Sequence, residues 1–398
     1  MDRYTVISSD CHAGADLLDY REHLEIRYRD DFDAWTASYV NPFADLGADE
    51  ANQNWDDSVR GTALDADGIA GEVVYPNTVP PFFPMGSLIT MIPEPDEYEH
   101  RRAGLRAHNR WLSTWCGRMP ARRAGIGQIL LNDIDDAVSD VHEIADLGLR
   151  GGALLPPVPP GSAIDQLHSP RYEPVWAACE ERGVVLNVHG GGGQPDLGMH
   201  PASISLFVLE APFYAHRPLW ALIMAGVFDR FPGLRFVVAE AGTSWITPTL
   251  GAMDHLHDKM RTGNVGALPL DPASATKRRP SEYWSTNCWV GASFMQRDDA
   301  LDRHDVGVDR IMWGSDFPHT EGTYPHSREA IAYTFAGIPS HEVEQMVGGN
   351  AAKLYGFDLD ALSPHAIHGP GVDDVFAGIE QIPDSTSFAF EARSRGVA

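Results

Sequence analysis

Short apolar runs alternate with longer amphipathic stretches along most of this chain. The apolar runs, each rich in β-branched or aliphatic residues, cover residues 4–7 (continuing to 12), 71–75, 124–130, 150–155, 184–189, 235–240, 283–289 and 310–314. Helical patterns cover residues 94–118, 133–147, 172–182, 203–231, 243–260, 294–302, 327–336 and 341–355. Strands that alternate with helices are typical of a parallel sheet with helices packed outside it. Eight such units predict an α/β fold, a distorted (β/α)₈ TIM barrel.

A chain that forms an open, doubly wound sheet would show the same alternation of strands and helices. The glycine-rich turn typical of dinucleotide-binding sheets of that kind does not follow the first strand here. The barrel is expected to occupy residues 1–357, with an N-terminal insertion at about 13–63 that is too long for a plain loop. Residues 358–398 form a C-terminal tail in which the periodicity fades. Pro212 and Pro218 are expected to kink or split the helix predicted over 203–231.

Charge and cysteine content narrow the possible partners and the compartment. Lys and Arg number 30 against 56 Asp and Glu, a formal net charge of −26, which disfavours nucleic acid and anionic membranes as partners. No apolar run is long enough for a membrane helix, and no signal peptide is evident. The four cysteines lack paired spacing, which fits reduced thiols. These features predict a soluble cytoplasmic protein that acts on a small molecule.

Polar residues follow several of the predicted strands. Asp10 and His12 end the first, His189 the fifth and Glu240 the sixth, and Asp316 and His319 follow the eighth. The carboxyl ends of barrel strands meet at one rim, so these side chains are expected to converge. Bringing three imidazoles and three carboxylates together costs free energy, because ionised groups lose hydration and like charges repel. One or two divalent metal ions would supply the compensating positive charge.

Taken singly, each of these residues also fits a structural role. Asp10, Glu240 or Asp316 could form a turn or cap a helix. His189 and His319 could each bind a backbone carbonyl in a loop. A metal site is favoured because the structural interpretation would have to hold independently at four strand ends.

These motifs resemble those of the amidohydrolase superfamily. The matching segments are Asp10-x-His12, His189, residues 313–319 (Trp-Gly-Ser-Asp-Phe-Pro-His) and residues 349–357. More narrowly, they resemble the amidohydrolase-related branch that includes aminocarboxymuconate semialdehyde and resorcylate decarboxylases. The resemblance implies a metal held by His12, His189 and Asp316, with Asp10 at or beside it.

One departure from this branch bears on the reaction. Its decarboxylases carry a proton-transferring histidine in a His-x-Gly motif after the sixth strand, where this chain has Glu240-Ala-Gly242. Glu240 could act as a base or bridge a second metal, and His319 could bind that metal. The superfamily also contains non-haem dinuclear iron oxygenases, which the ligand inventory resembles. The favoured interpretation is therefore a dinuclear iron monooxygenase, with Glu240 and Asp316 as catalytic residues.

Two other interpretations remain open. The first is a mononuclear zinc or manganese enzyme, either a hydrolase or a non-oxidative decarboxylase of a carboxylic acid. In the hydrolase, a metal-bound hydroxide would attack a carbonyl while Asp316 or Glu240 moves the proton. The second is a non-catalytic binder with a structural metal, which is disfavoured because Cys11 is expected to face away from the ligands and no other cysteine adjoins one.

Aromatic and apolar loops near the expected mouth indicate either a pocket or a subunit interface. They cover residues 75–84, 206–208 and 213–214. A pocket would suit an apolar substrate with one polar handle, a carboxylate or a thioester. His200, His216 and Arg217 follow the fifth strand and could hold that handle, or could be ordinary surface and helix contacts. The resemblance also implies a homodimer.

Overall fold

The computed structural model describes residues 2–41, 51–195, 197–198, 200–269 and 271–390. Its strands are β1 (Val6–Ala13), β2 (Ile69–Pro76), β3 (Arg123–Gln128), β4 (Gly152–Leu154), β5 (Leu186–Val188), β6 (Phe236–Val238), β7 (Asn264–Val265), β8 (Leu268–Pro269), β9 (Cys288–Ser293) and β10 (Ile311–Gly314). Within the described residues, eight of these strands form one parallel sheet in the order β1-β2-β3-β4-β5-β6-β9-β10, while β7 and β8 form a separate small hairpin. The predicted (β/α)₈ TIM barrel is confirmed.

The sheet closes into a barrel through the segment that follows β10. The Asp316 N–H donates to the Asp10 carbonyl at 2.8 Å, and the His12 N–H donates to the Phe317 carbonyl at 2.7 Å. β1 is also irregular, with register shifts against β2 between Ser8 and Cys11. The closure therefore lies at the carboxyl end of β1, and it joins the two segments that carry polar residues.

The strands alternate between an inner and an outer core. The inner cluster takes side chains from most barrel strands, such as Val73, Ile126 and Met312, and residues 351–362 close it at one end. Neighbours in sequence, such as Val74 and Trp313, pack instead against the surrounding helices. This period of two is what a sheet covered on both faces requires. Cys11 belongs to the outer cluster, on the opposite side from Asp10 and His12.

Helices surround the sheet and connect its strands. The α-helices are Tyr20–His23, Arg29–Thr36, Asp57–Asp67, Tyr98–Arg118, Ile134–Asp146, Glu173–Arg182, Ser203–Met224, Val227–Arg230, Ile246–Arg261, Pro280–Asn287, Arg297–Leu301, Arg303–Val306, Ser327–Phe335, Ser340–Glu344, Asn350–Tyr355, Leu359–Ala366 and Val372–Ala377. The shorter turns are 3₁₀ at Leu17–Asp19, Ile26–Tyr28, Ala51–Asn54, Pro170–Tyr172, Pro272–Ser274, Val308–Arg310 and Phe388–Phe390, and π at Gln345–Gly349.

The seventh barrel strand lies later in the chain than predicted. The three aromatic residues within 283–289 favour a strand, but Pro280–Asn287 is a helix and β9 begins at Cys288. Pro280 occupies the first helical position, and the Glu282 carboxylate accepts the Arg279 N–H at 2.8 Å. This proline and this capping glutamate both favour the start of a helix, and together they outweigh the β propensity of the residues that follow them.

The predicted helix over 203–231 is split, but not at its prolines. Ser203–Met224 continues through Pro212 and Pro218, each of which removes one backbone hydrogen bond. Gly226, with φ +66°, separates it from Val227–Arg230. The break therefore lies at the left-handed glycine, a conformation that helical residues do not adopt.

The predicted insertion and tail contain short helices. Between residues 13 and 63 these pack partly on helix Tyr98–Arg118 through Leu24, Phe32 and Ala107; residues 42–50 lie outside the described part of the chain. In the tail, Leu362 joins the inner core and Phe390 packs near Ala330, while residues 391–398 are likewise outside it. No helix among the described residues is long and apolar enough to cross a bilayer. All four cysteines are buried and free.

Candidate metal centre and active site

Four predicted ligands converge at the carboxyl ends of the strands. Asp10 and His12 lie on β1, His189 directly follows β5, and Asp316 follows β10 after one residue. His12 Nε2 lies 3.1 Å from Asp316 Oδ1 and 3.4 Å from Asp10 Oδ1, and His189 Nε2 lies 3.2 Å from Asp10 Oδ1. The structure thus brings two imidazole nitrogens and two carboxylates together at a buried point.

Hydrogen bonds from outside the cluster orient its members. His12 Nδ1 lies 3.1 Å from the Pro76 carbonyl, so this nitrogen carries the proton and Nε2 faces the carboxylates. The Ser293 hydroxyl, at the end of β9, donates to Asp10 Oδ2 at 2.5 Å. A Cβ on Gly314 would lie 2.8 Å from Asp10 Cβ and 2.7 Å from Ser293 Oγ, so a side chain there would displace this pair.

The donor set fits a divalent cation. Although His12 Nε2 lies close to two carboxylate oxygens, its geometry makes no hydrogen bond with any described residue, and the buried Asp316 Oδ2 makes none either. Ligand atoms of Asp10, His12 and His189 all lie within 4.8 Å of one another, and so do those of His12, Asp316 and His319. Imidazole nitrogens and carboxylate oxygens together suit zinc or manganese.

The buried charges perturb one another strongly. Burial raises the pKa of Asp10, but the His189 and His12 imidazoles outweigh that effect, and the pKa lies well below its ordinary value. Burial and His319 lower the pKa of His12, yet its contacts with Asp10 and Asp316 raise it to about 9. The carboxylates therefore attract positive charge to this point, and a divalent cation bound by neutral imidazoles would supply it.

Glu240 lies on the outer side of His189. Its Oε2 is 3.3 Å from His189 Nδ1, the nitrogen that faces away from Asp10, and its side chain is 21% exposed. Burial raises the pKa of Glu240 to about 7, His189 opposes this, and Asp316 and Asp10 add to it. A Cβ added to Gly190 would lie 2.4 Å from Glu240 Oε2, so the glycine leaves room for the carboxyl group. This placement next to a ligand suits a proton carrier better than a bridge between two metals.

His319 lies between two acceptors. Its Nδ1 is 3.1 Å from Asp316 Oδ1, and its Nε2 is 3.1 Å from Asn77 Oδ1. Burial lowers the pKa of His319, but Asp316 outweighs this effect and raises it to about 9. Both ring nitrogens thus have acceptors, an arrangement that orients Asp316 through a hydrogen bond.

A cavity of about 680 Å³ adjoins the cluster at His189. Apolar residues, with leucine and proline the most frequent, form most of its wall, and helix Ser203–Met224 covers one side through Tyr214, Arg217 and Trp220. A second cavity, of about 390 Å³, shares Met91 and Pro157 with the first. The volume lies within the roughly 300–1,000 Å³ that is usual for pockets that bind small molecules.

Of the three predicted substrate residues, only Arg217 lines this cavity. His200 is exposed, and its Nδ1 accepts the Ala202 N–H at 3.1 Å next to the start of the helix. His216 is buried and stacks on Trp245 with ring centroids 3.6 Å apart, and burial lowers its pKa to about 4. The placement therefore supports a substrate contact for Arg217 and a structural role for the two histidines.

Sequence reasoning missed three polar residues near the site: Ser293, Asn77 and Gln128. Ser293 contacts Asp10, Asn77 contacts His319, and Gln128 lines the cavity at the end of β3. Ser293 and Gln128 each end a barrel strand, so the strand-end rule could have found them. The predicted seventh strand ends at residue 289, so Ser293, which ends the observed strand β9, lay outside the expected strand ends.

Two curated decarboxylases are similar to this chain. It is 28% identical to gamma-resorcylate decarboxylase of Rhodococcus jostii over 273 residues, which are 64% of this chain and 76% of the relative. It is 23% identical to 2-amino-3-carboxymuconate-6-semialdehyde decarboxylase of Dictyostelium discoideum over 314 residues, 76% and 77% of the two chains. These relatives show that the favoured prediction of an iron monooxygenase is wrong, and they support the predicted alternative, a decarboxylase.

Solved structures share the fold. An amidohydrolase from Mycobacterium avium subsp. paratuberculosis matches with a TM-score of 0.66 at 20% identity, over 89% of this chain and all of the other. 5-Carboxyvanillate decarboxylase from Sphingomonas paucimobilis matches with a TM-score of 0.62 at 20% identity and the same coverage. The Novosphingobium aromaticivorans enzyme of that name, with a TM-score of 0.61, 19% identity and coverage of 89% and 96%, contains manganese. In this chain the buried ligand groups described above support a divalent metal, whereas iron and a second ion have no such support.

The sequence profile of an amidohydrolase family matches residues 10–357. This range begins at Asp10, ends beyond the closing helix Asn350–Tyr355, and contains all six predicted metal-site residues. Both the curated relatives and the arrangement of buried ligands agree with a metal-dependent enzyme. The chain therefore belongs to the amidohydrolase family, in the branch that resembles aminocarboxymuconate semialdehyde decarboxylase.

Proposed function

We propose that this protein is a divalent-metal-dependent, non-oxidative decarboxylase of a carboxylic acid with an apolar skeleton. The observation that carries the proposal is the buried cluster of Asp10, His12, His189 and Asp316 beside an apolar cavity, in a chain whose curated relatives above are decarboxylases. The carboxylated aromatic acids named for those relatives are the nearest guide to the substrate class.

Asp10, His12, His189 and Asp316 would hold one ion, manganese or zinc. When bound there, the cation supplies Lewis-acid attraction for substrate oxygen atoms and offsets the negative charge that develops as CO₂ leaves. His319 would keep Asp316 in place through its 3.1 Å contact. The residues of the chain then have two tasks, to orient the acid and to deliver a proton.

Loss of CO₂ breaks a carbon–carbon bond and leaves its electron pair on the substrate carbon. That carbon needs one proton to form the C–H bond of the product. Glu240 follows β6, where the resemblance described above implies a proton-transferring histidine, and its carboxyl group is partly exposed beside His189. We therefore assign the proton to Glu240, which would regain it from water after each turnover.

The test is CO₂ release by protein loaded with Mn²⁺, using 2,6-dihydroxybenzoate and 5-carboxyvanillate as first substrates. We expect release that a chelator abolishes, that continues without O₂, and that places one deuterium on the product carbon in D₂O. Consumption of O₂ in step with turnover, or hydrolysis of ester and amide analogues in place of CO₂ release, would contradict the proposal.

Glu240→Gln should separate proton delivery from metal binding. We expect kcat to fall by about 10²–10⁴-fold, the usual contribution of a positioned acid or base, while the metal content stays at one ion per chain. Glu240→His, which introduces the residue that the resemblance implies at this position, should recover part of the loss. Wild-type kcat in Glu240→Gln would remove the glutamate from the mechanism.

Cytoplasmic location and a homodimeric state remain predictions that accompany this function. The small molecules named for the relatives make a small-molecule substrate the expected partner.

A further inference from the structure

The cavity beside His189 is largely apolar, yet two buried donors in its wall lack protein acceptors. Gln128 is 3% exposed at the end of β3, and Trp220 lies on helix Ser203–Met224. Within the described ranges, Gln128 Nε2 and Trp220 Nε1 have no hydrogen-bond partner, and both residues line the cavity. Amide and indole N–H groups can only donate. The cavity is therefore suited to a ligand that presents oxygen acceptors.

Arg217 adds a positive charge to the same wall. Its Nη1 donates to Gln166 Oε1 at 2.5 Å, and Gln166 Nε2 in turn donates to the Pro159 carbonyl at 3.0 Å. The guanidinium has five N–H donors, and this neutral amide uses one of them. Among residues that the structure describes, no carboxylate forms an ion pair with Arg217. The charge is thus available to a ligand.

Arg230 provides the contrast within the same cavity. It also lines the wall, but its Nε lies 2.9 Å from Glu173 Oε1, so its charge is already balanced. A partly buried cation at an apolar wall loses hydration and is stabilised when an anion pairs with it. A carboxylate matches the planar fork of a guanidinium with two parallel hydrogen bonds.

Resting on the proposed function, we propose that the substrate carries a second anionic oxygen group, a carboxylate, which Arg217 binds while the reacting carboxylate lies beside His189. The two residues line one cavity from different elements, His189 from the end of β5 and Arg217 from the covering helix. At about 680 Å³ this cavity is larger than a single aromatic ring requires. An elongated apolar diacid would reach both residues and would offer acceptors to Gln128 and Trp220.

The test compares two probes by calorimetry on the Mn²⁺-loaded protein, biphenyl-4-carboxylate and biphenyl-4,4′-dicarboxylate. We expect the wild type to bind the diacid about tenfold more tightly than the monoacid, the effect of one charge-assisted contact. Arg217→Met should lose that preference without weakening the monoacid, and Arg217→Lys should keep part of it. Arg230→Met is the matched control, and we expect it to retain the preference because Glu173 already pairs Arg230.

Three results would overturn the inference: no preference for the diacid in the wild type, binding of neither probe, or equal weakening of both probes in Arg217→Met. Equal weakening would mean that Arg217 binds the reacting carboxylate itself. Circular dichroism and thermal unfolding of each variant establish that it is folded. Because binding is measured without turnover, a failure to release CO₂ would count against the proposed function alone.

Discussion

Asp316 and Glu240 both adopt left-handed backbone conformations, with φ of +60° and +51°, although neither is glycine. Such a conformation costs a non-glycine residue about 1–3 kcal/mol, and it persists where the surrounding structure enforces it. Each of the two residues lies just after a barrel strand, where the chain must turn while its carboxyl group stays at the mouth. The strain therefore lies in the residues to which we assign metal binding and proton transfer.

Asp316→Asn tests whether Asp316 binds the metal. Asparagine tolerates the left-handed conformation, so the backbone should survive while the anionic ligand is lost. We expect less than one metal ion per chain after dialysis and a loss of activity of at least about 100-fold. Elemental analysis and CO₂ release are the measurements. Asp67→Asn, at a buried aspartate that Ser327 contacts, should retain the metal, and full metal and activity in Asp316→Asn would contradict the site.

Helix Tyr98–Arg118 buries a histidine that lies apart from the metal ligands. His108 is fully buried, and its Nδ1 lies 2.9 Å from the Tyr20 hydroxyl. The Tyr20 hydroxyl also contacts Thr78 and accepts the Ala15 N–H, so it ties the helix to the segment after β1. Burial lowers the pKa of His108 to about 3. The folded protein thus keeps this imidazole neutral at mildly acidic pH.

His108 should make the free energy of unfolding depend on pH. Below its ordinary pKa of about 6.5 the unfolded chain binds a proton that the folded protein does not, so stability falls as the pH decreases. When the pH is lowered from 7 to 5, this group should reduce the free energy of unfolding of the wild type by about 2 kcal/mol. Urea unfolding at both pH values should show that the free energy of unfolding decreases less in His108→Gln than in the wild type. His255→Gln, at an exposed helix position, is the control and should show the same decrease as the wild type. Equal losses in all three proteins would contradict this assignment.

This strongly acidic protein exposes an apolar surface on one helix. The net charge is −26, yet helix Ser203–Met224 exposes Ile204 by 77%, Val208 by 63%, Leu209 by 76% and Phe213 by 50%. Contiguous apolar surface of this kind is typical of an interaction site. The helix also covers the cavity with its other residues, so a partner on this surface would lie close to the substrate.

We expect this surface to form the predicted homodimer. Light scattering after size exclusion should give twice the chain mass of 43.6 kDa, and added salt should favour the dimer because it screens repulsion between two acidic subunits. The double variant Ile204→Lys with Leu209→Lys should be monomeric. Ile26→Lys, at a residue 82% exposed elsewhere, is the control and should stay dimeric. A wild type that is monomeric at all concentrations would refute the prediction.

Local patterns were sufficient to predict the barrel and the residues of its rim. A period of two placed Asp10 and His12 on one side of β1, and the strand-to-helix alternation placed His189, Glu240 and Asp316 at strand ends. Such patterns depend on neighbours along the chain, so the sequence determines them alone. Where local signals conflict, as at residues 283–289, propensity predicted a strand and the helix start at Pro280 prevailed.

Which side chains contact one another depends on the packing of the whole barrel. His216 and Arg217 are adjacent on one helix, yet the first stacks on Trp245 and the second lines the cavity. Glu240 contacts the outer nitrogen of His189, a relation that depends on how β5 and β6 are staggered in the closed barrel. Contacts of this kind join residues far apart in sequence, and their geometry follows from the packing of the whole sheet. The sequence therefore predicts the fold and the ligand residues at the rim, while the closure of the barrel brings Ser293 and Asn77 against them and sets the contacts on which the chemistry depends.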